Sequence, residues 1–485
     1  MSSGNSKTSG QYYFHVMVML LLYFGFGFLP PIGQITEIGM GVLGVFFGLV
    51  YAWLFIDMLW PSFLGLAALG LTGYCNVTNA FIAGFGNSTF LQIFFFFILA
   101  AYAEHSGLSR KIGYWFLSRK AIEGRPWLFI TLIFVAAYVL GIFVMMYAII
   151  FIMWSIFYSI CDIVNLKKGD KTAAYILVGI LQSATLSGLI MPYQAAPAIS
   201  LNALHSATGL SIPTGSYMIY MAVISFLSVA AYLLLGKLLK IDVSCFKELK
   251  VAQIVGNEKI GFDKEQKIAM IVLAGFVAAT LLPGLMPKDS FIAGIYQQTG
   301  DFGILIIALM VVFGLKLREG SVADFVDLAR RGLNWELLAL VAATCAVGAA
   351  MTHESTGVVS WITSLLMPIF DGVGTVLFLV CAFALLALIT QVAHNIILII
   401  TFVPLLASLA LDLGMGSGVA LIITAGLTFV LMNALITPAA SNRGAMIYGN
   451  DWIGKKWALV FGATAVVCSD LAVLVIGIPL GILIW

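Results

Sequence analysis

Apolar runs of about 20 residues or more recur from Tyr12 to Trp485, and a run of that length is what a helix needs to cross a bilayer. The pattern predicts eleven crossings, near 12–31, 37–59, 61–75, 88–106, 173–197, 214–238, 267–286, 302–317, 334–352, 417–447 and 457–484. Two further runs, 126–161 and 373–411, continue for 35 to 40 residues with no charged interruption. Each is too long for one crossing and offers no polar turn for two, which predicts a re-entrant hairpin.

Two of the predicted crossings are broken by proline. One reads Leu189-Ile190-Met191-Pro192-Tyr193-Gln194-Ala195-Ala196-Pro197, the other Leu435-Ile436-Thr437-Pro438-Ala439-Ala440-Ser441-Asn442-Arg443-Gly444. Proline removes a backbone donor and clashes with the preceding turn, so the helix opens there. Opened backbone at membrane depth survives only inside protein or beside a cavity. Pro192 and Pro438 lie 246 positions apart, and His105 and His353, which close two other spans, lie 248 apart. After each histidine come a short amphipathic stretch (109–120, 358–368), a hairpin and a broken span, in the same order. The reading is an all-α integral membrane protein of two inverted repeats with discontinuous helices. Residues 1–60 would be N-terminal scaffold spans and 61–240 the first repeat. A linker at 241–266 would join it to the second repeat, 267–485. Matched interruptions of this kind point to the binding site of a secondary transporter.

Composition agrees: of 485 residues 62% are hydrophobic and 9% charged, and the mean hydropathy is +1.07, far from the roughly 25% charge of soluble domains. The run at 12–31 has only Lys7 before it and no small-residue cleavage site after it, so it reads as an uncleaved span. Six scattered cysteines show neither CxxC nor metal-ligand spacing, and no Walker-type loop supports ATP-driven transport. With the N-terminus cytoplasmic and the C-terminus external, 22 of the 24 basic residues fall inside; Lys288 is outside and Arg443 within the membrane. The positive-inside rule favours that orientation. It puts the 241–266 linker and the first hairpin on the cytoplasmic side and the second hairpin outside.

Polar groups inside apolar runs carry the candidate chemistry. Thr390-Gln391-Val392-Ala393-His394-Asn395 interrupts the second hairpin, and the oxygens of Thr390 and Asn395 suit a hard cation such as sodium. Packing glue between helices is the plainer role for such groups. An intramembrane arginine is a functional hypothesis by default, and the planar fork of Arg443 suits a carboxylate or sulfate. Its structural alternative is an ion pair with Asp470 in the last span. His394 could couple protons near neutral pH or simply hydrogen-bond within the tip.

This order of parts resembles the divalent anion/sodium symporter family, the dicarboxylate, citrate and sulfate carriers of the ion transporter superfamily, from about Pro61 to Trp485. Family tips carry Ser-Asn-Thr; here the second reads His394-Asn395-Ile396, and Pro438-Ala439-Ala440-Ser441 and Ile447-Tyr448-Gly449 are similar to the family's broken-span segment. The resemblance implies a sodium ion held by Thr390, Ala393, Asn395 and Ala440, no organic cofactor, and a substrate contact by Ser441. The first tip, Met145-Met146-Tyr147, lacks the family's ligands for another sodium. Anion contacts are therefore expected from His394, Asn395, Ser441, Asn442 and Arg443 in the second half, and from Tyr147 and Gln194 in the first.

The expected protein is a multi-pass cell-membrane symporter of a small anion, a di- or tricarboxylate, with the lipid bilayer as its setting and no nucleic-acid partner. The resemblance implies a homodimer whose mobile domain carries both hairpins against a fixed scaffold. A proton-coupled carrier or an exchanger is the rival within transport. An intramembrane enzyme would need facing carboxylates or a histidine-rich metal set, and five scattered histidines do not supply one. Broken spans suit a closed central site better than a channel's continuous pore.

Overall fold

A computed structural model describes residues 9–255, 261–285, 291–317, 320–321, 323–438 and 441–485. Among them, ten helices are long and apolar enough to cross a membrane. An eleventh arises if Val358–Phe370 and Thr375–Ile389, bent by 114°, count as one span. The one ladder among the described residues pairs Lys316–Leu317 with Gly320–Ser321. The protein is an all-helical, multi-pass membrane protein.

The predicted breaks are real interruptions. The first broken span runs as Lys171–Gly188, an open stretch containing Pro192, and Ala195–Thr208. Pro197 is tolerated because it sits in the first turn of the second piece, where its missing N–H costs no hydrogen bond. The second runs as Ser417–Leu431 and Asn442–Tyr448, with Pro438 in the gap. The hairpins are Pro126–Phe143 with Met146–Ile163, and Thr375–Ile389 with Asn395–Asp412. Three of these four limbs have 18 residues, about 27 Å of helix, so length alone would let them cross.

Each hairpin lies on the broken span of its own half, and the contact repeats. Phe134 packs where Gly179 has no side chain, and Phe383 packs the same way over Gly426. Any added Cβ at either glycine would collide with the ring. The halves are also stitched together: Thr428 donates to Ser200 Oγ at 2.6 Å, and Asn395–Asp412 packs along Ala195–Thr208. Facing this assembly, Trp335–Thr352 rests on Trp60–Leu69, Val77–Phe85 and Ala195–Thr208.

Several boundaries differ from the sequence reading. The crossing expected at 61–75 is only the short helix Trp60–Leu69, and a second short helix that the sequence reading did not include, Val77–Phe85, follows it, capped by Asn76, which accepts from Asn79 N at 2.8 Å. The span expected at 173–197 continues to Thr208, and that expected at 302–317 occupies Phe291–Gly314, with Gly300 at φ 57° interrupting it. The polar 241–266 segment is partly docked. Phe246 is buried, 5.1 Å from the Phe129 ring and 6.3 Å from that of Phe157.

Candidate functional site

Both hairpin tips and both breaks open onto one cavity of about 200 Å³. Met145, Met146 and Tyr147 come from the first tip, and His394, Asn395 and Ile396 from the second. Thr185, Gly188, Leu189 and Gln194 border the first break, and Met432, Ser441, Asn442 and Arg443 the second. Residues 246 to 250 positions apart thus meet because each hairpin folds back onto its own broken span. The opposite wall is Met58, Phe97, Asn334, Glu336, Leu337 and Leu340. The cavity lies below the drug-sized range of roughly 300–1,000 Å³, which suits a small ligand.

The wall is rich in donors. Met146–Ile163, Ala195–Thr208 and Asn395–Asp412 all begin here, and none is capped by its N-cap side chain, though in the third Asn395 Oδ1 accepts from Ile396 N at 2.9 Å. Free N–H groups and the positive end of the helix dipole make such a terminus a place for negative charge. Arg443 is 1% exposed, and neither Nη1 nor Nη2 has a hydrogen-bond partner among the described residues. Gln194 Nε2, Thr185 Oγ1 and His394 Nδ1 are likewise buried and unpartnered. A buried guanidinium without a partner is costly in hydrocarbon, and the five unpaired polar atoms on this small cavity are chemically suited to an oxygen-rich ligand.

The other polar residues hold the break open. Gln391 Nε2 donates to Ala387 O at 3.0 Å and Asn433 O at 3.1 Å, while its Oε1 accepts from Leu435 N at 3.2 Å and Ile436 N at 3.1 Å. Those backbone groups would otherwise be orphaned by the missing helix. Ser441 donates to Ala434 O and accepts from Gly444 N at 3.0 Å, capping the short second piece. In the first break the counterpart is Tyr217, whose hydroxyl donates to Leu189 O at 3.2 Å.

Seven predicted anion contacts, Tyr147, Gln194, His394, Asn395, Ser441, Asn442 and Arg443, all border the cavity. Of the predicted sodium ligands among the described residues, only Asn395 does. Thr390 is buried behind the wall, donating to Leu431 O at 2.9 Å, and Asn395 Nδ2 lies 3.3 Å from Met432 Sδ. Both side chains therefore lie against residues 431–432; Asn395 Oδ1 accepts from Ile396 N at 2.9 Å, and each of the two oxygens keeps a lone pair that suits a hard cation. Ala393 is half-buried beside them, and Ala440 lies outside the described residues. The alternative ion pair is absent: no Arg443–Asp470 contact falls within 4 Å among the described residues. The reason is the direction of the last span, which turns Asp470 toward Asn433 rather than toward the cavity.

Sequence reasoning missed Thr185, Asn334, Glu336 and the clamping role of Gln391. Asn334 caps Trp335–Thr352 by accepting from Leu337 N at 3.0 Å, which places Glu336 in that helix's first turn at the cavity edge. A polar pair opening an apolar run was the available signal. Asn76 and Asn87 are helix caps, and His353 closes its helix by bonding Ser355, with Nδ1 2.8 Å from Oγ.

A family model described as "Citrate transporter" matches residues 42–428. No curated protein sequence matches the chain. Among solved structures, the chain is similar to the YdaH transporter of Alcanivorax borkumensis, whose crystal structure is described as revealing an unusual topology. Their TM-score is 0.53, at 15% identity over 84% of this chain and 87% of that one. Similarity to MtrF of Neisseria gonorrhoeae, described with a class of antimetabolite efflux pumps, has a TM-score of 0.48 at 13% identity, over 98% of this chain and 96% of that one.

Proposed function

The chain belongs to the citrate transporter family, a secondary transporter and not an enzyme, and on that premise we propose that it carries a di- or tricarboxylate by sodium symport. The observation that carries the substrate class is Arg443, buried on a cavity of about 200 Å³ with both Nη atoms unpartnered. One carboxylate engages that fork in bidentate fashion. A second meets Gln194, Thr185 and the uncapped helix starts. Asn395, Asn442, Tyr147 and His394 border the same space, while Ser441 keeps its hydroxyl for the break.

Sodium is assigned to Thr390, Asn395 and the carbonyls of Ala393 and Ala440. A cation there supplies positive charge beside the anion, so each ligand favours binding of the other. The first tip, with its two methionines and one phenol, contributes no comparable oxygen set. Movement is assigned to an elevator: the hairpins and broken spans travel as one body past the wall formed by Trp335–Thr352 and its neighbours. The packing supports this, since each hairpin is seated on a broken span through a phenylalanine over a glycine. A homodimer with a cytoplasmic N-terminus and an external C-terminus completes the reading.

A proton-coupled carrier is the second reading, favoured by His394, whose Nδ1 is buried and unpartnered at the cavity. Uptake of labelled citrate into proteoliposomes, with sodium and pH gradients imposed separately, tests both. Sodium-driven uptake that collapses in Arg443→Ala is the expected result. Uptake driven by the pH gradient alone would favour the second reading, and uptake unaffected by Arg443→Ala would overturn the site.

A further inference from the structure

Asp470 is left without the partner that the sequence offered it. It lies fifteen residues from Lys455 and fourteen from Ile484 in a continuous 30-residue span, so it sits near mid-membrane. Around it is a neutral polar cluster drawn from both halves. Gln182 Nε2, on the first broken span, donates to Asn433 Oδ1 at 2.9 Å and to Ser469 Oγ at 2.7 Å. Asn433 faces the Asp470 carboxyl and also donates to Val466 O at 3.3 Å. Two atoms of the cluster remain buried without a partner, Gln182 Oε1 and Asp470 Oδ1. Both are acceptors, so what the cluster lacks is positive charge or a donor.

We propose that Gln182, Asn433, Ser469 and Asp470 form a second cation-binding site behind the anion cavity, whose occupant is a singly charged hard cation, a proton or a sodium ion. One carboxylate calls for one positive charge, and no group of three or more His, Cys, Asp or Glu side chains placed to hold a metal ion exists among the described residues. A proton turns Asp470 into a donor within reach of the cluster that holds the unpartnered Gln182 Oε1. A sodium ion is met by the oxygens of Asp470, Gln182, Asn433 and Ser469. The helices packed against this span carry Lys171, Lys237 and Arg443, none of which pairs with Asp470 among the described residues. They also carry Tyr175, Tyr217, Tyr220, Tyr232, Tyr448 and Cys381, and Cys468 is on the span itself.

The site is wired to the cavity. Met432, next to Asn433, lines it, and the Asn433 carbonyl is held by Gln391 of the second tip. Just past Asp470 the helix widens into a π-helical turn, Val473–Gly477, a feature that recurs at functional sites. Occupancy at Asp470 thus bears on the same opened backbone that forms the anion site, which deepens the symport reading and rests on it.

The test is thermal unfolding of the purified full chain without anion. Sodium is titrated against choline at fixed pH, and pH is varied at fixed low sodium. Each variant is made alone and in the Asn395→Ala background, because sodium at the second tip also stabilises the chain. Asp470→Asn, which mimics the neutralised carboxyl, should lose part of the dependence along one axis in both backgrounds, and that axis names the occupant. Gln182→Met removes one acceptor together with the donor to Asn433 and Ser469, and should shift the midpoint of that component by about tenfold in cation concentration; it stands in if Asp470→Asn does not fold. Asp470→Asn and Gln182→Met both following their parents on both axes would overturn the site. Because no anion is present, failure of citrate uptake would sink the proposed function without touching this result.

Discussion

The two breaks are built from the same parts and held by different chemistry. In the second half, Gln391 at the hairpin tip clamps three backbone groups of the opened strand, and Arg443 begins the next turn with its fork unpaired. In the first half, the tip is Met145-Met146-Tyr147, and among the described residues the side-chain hydrogen bond to the break comes from a tyrosine of the following span instead. A repeated fold therefore does not require a repeated site. One half supplies charge and cation oxygens, the other a largely apolar wall with a single amide.

The sharpest way to break that contrast is Gln391→Leu, which leaves the Asn433 carbonyl and the Leu435 and Ile436 amides unsatisfied. A loss of about 3 kcal/mol or more is expected from the desolvated groups, read as a lower unfolding midpoint, together with loss of uptake. Gln194→Leu in the first break should cost little, because Gln194 Nε2 has no partner to lose. Equal destabilisation by the two would show that the breaks are held alike.

Next in size is Arg443→Ala, expected to weaken citrate binding about a hundredfold, or about 2.7 kcal/mol, for the loss of a charged bidentate contact. Stability should hold or rise, since no ion pair is broken. Arg443→Lys should recover part of the affinity. Calorimetric titration measures both, and a destabilised Arg443→Ala would mark the residue as structural.

Sodium distinguishes the tips more finely. Asn395→Ala should raise the half-saturating sodium concentration for uptake about tenfold by removing one hard ligand, a change near 1.4 kcal/mol. Met146→Ala should change it no more than about twofold, because sulfur does not hold sodium. The smallest effect is expected at Glu336, an exposed acid on the edge of an anion cavity. Glu336→Gln should strengthen citrate binding about threefold at low salt and lose that gain at high salt, since exposed charges are screened.

The architecture was legible in the chain because lipid imposes a local rule: each stretch must bury its own backbone polar groups and present apolar side chains. Thr214–Leu238 was read to the residue, both hairpins to within two residues at each end, and both proline breaks at their places. Beyond Asn76 the helix Val77–Phe85 was missed, because an apolar run of 9 residues is too short to register as a crossing. What the sequence could not assign was the duty of each polar group, because that depends on which groups arrive within about 3 Å across hundreds of positions. Gln391 and Asn395 look alike as amides in an apolar run, yet one closes the backbone and the other faces the cavity. Arg443 and Asp470 carry opposite charges in neighbouring spans, and only the rotation of the last helix turns Asp470 toward Asn433 and leaves the guanidinium open to a ligand.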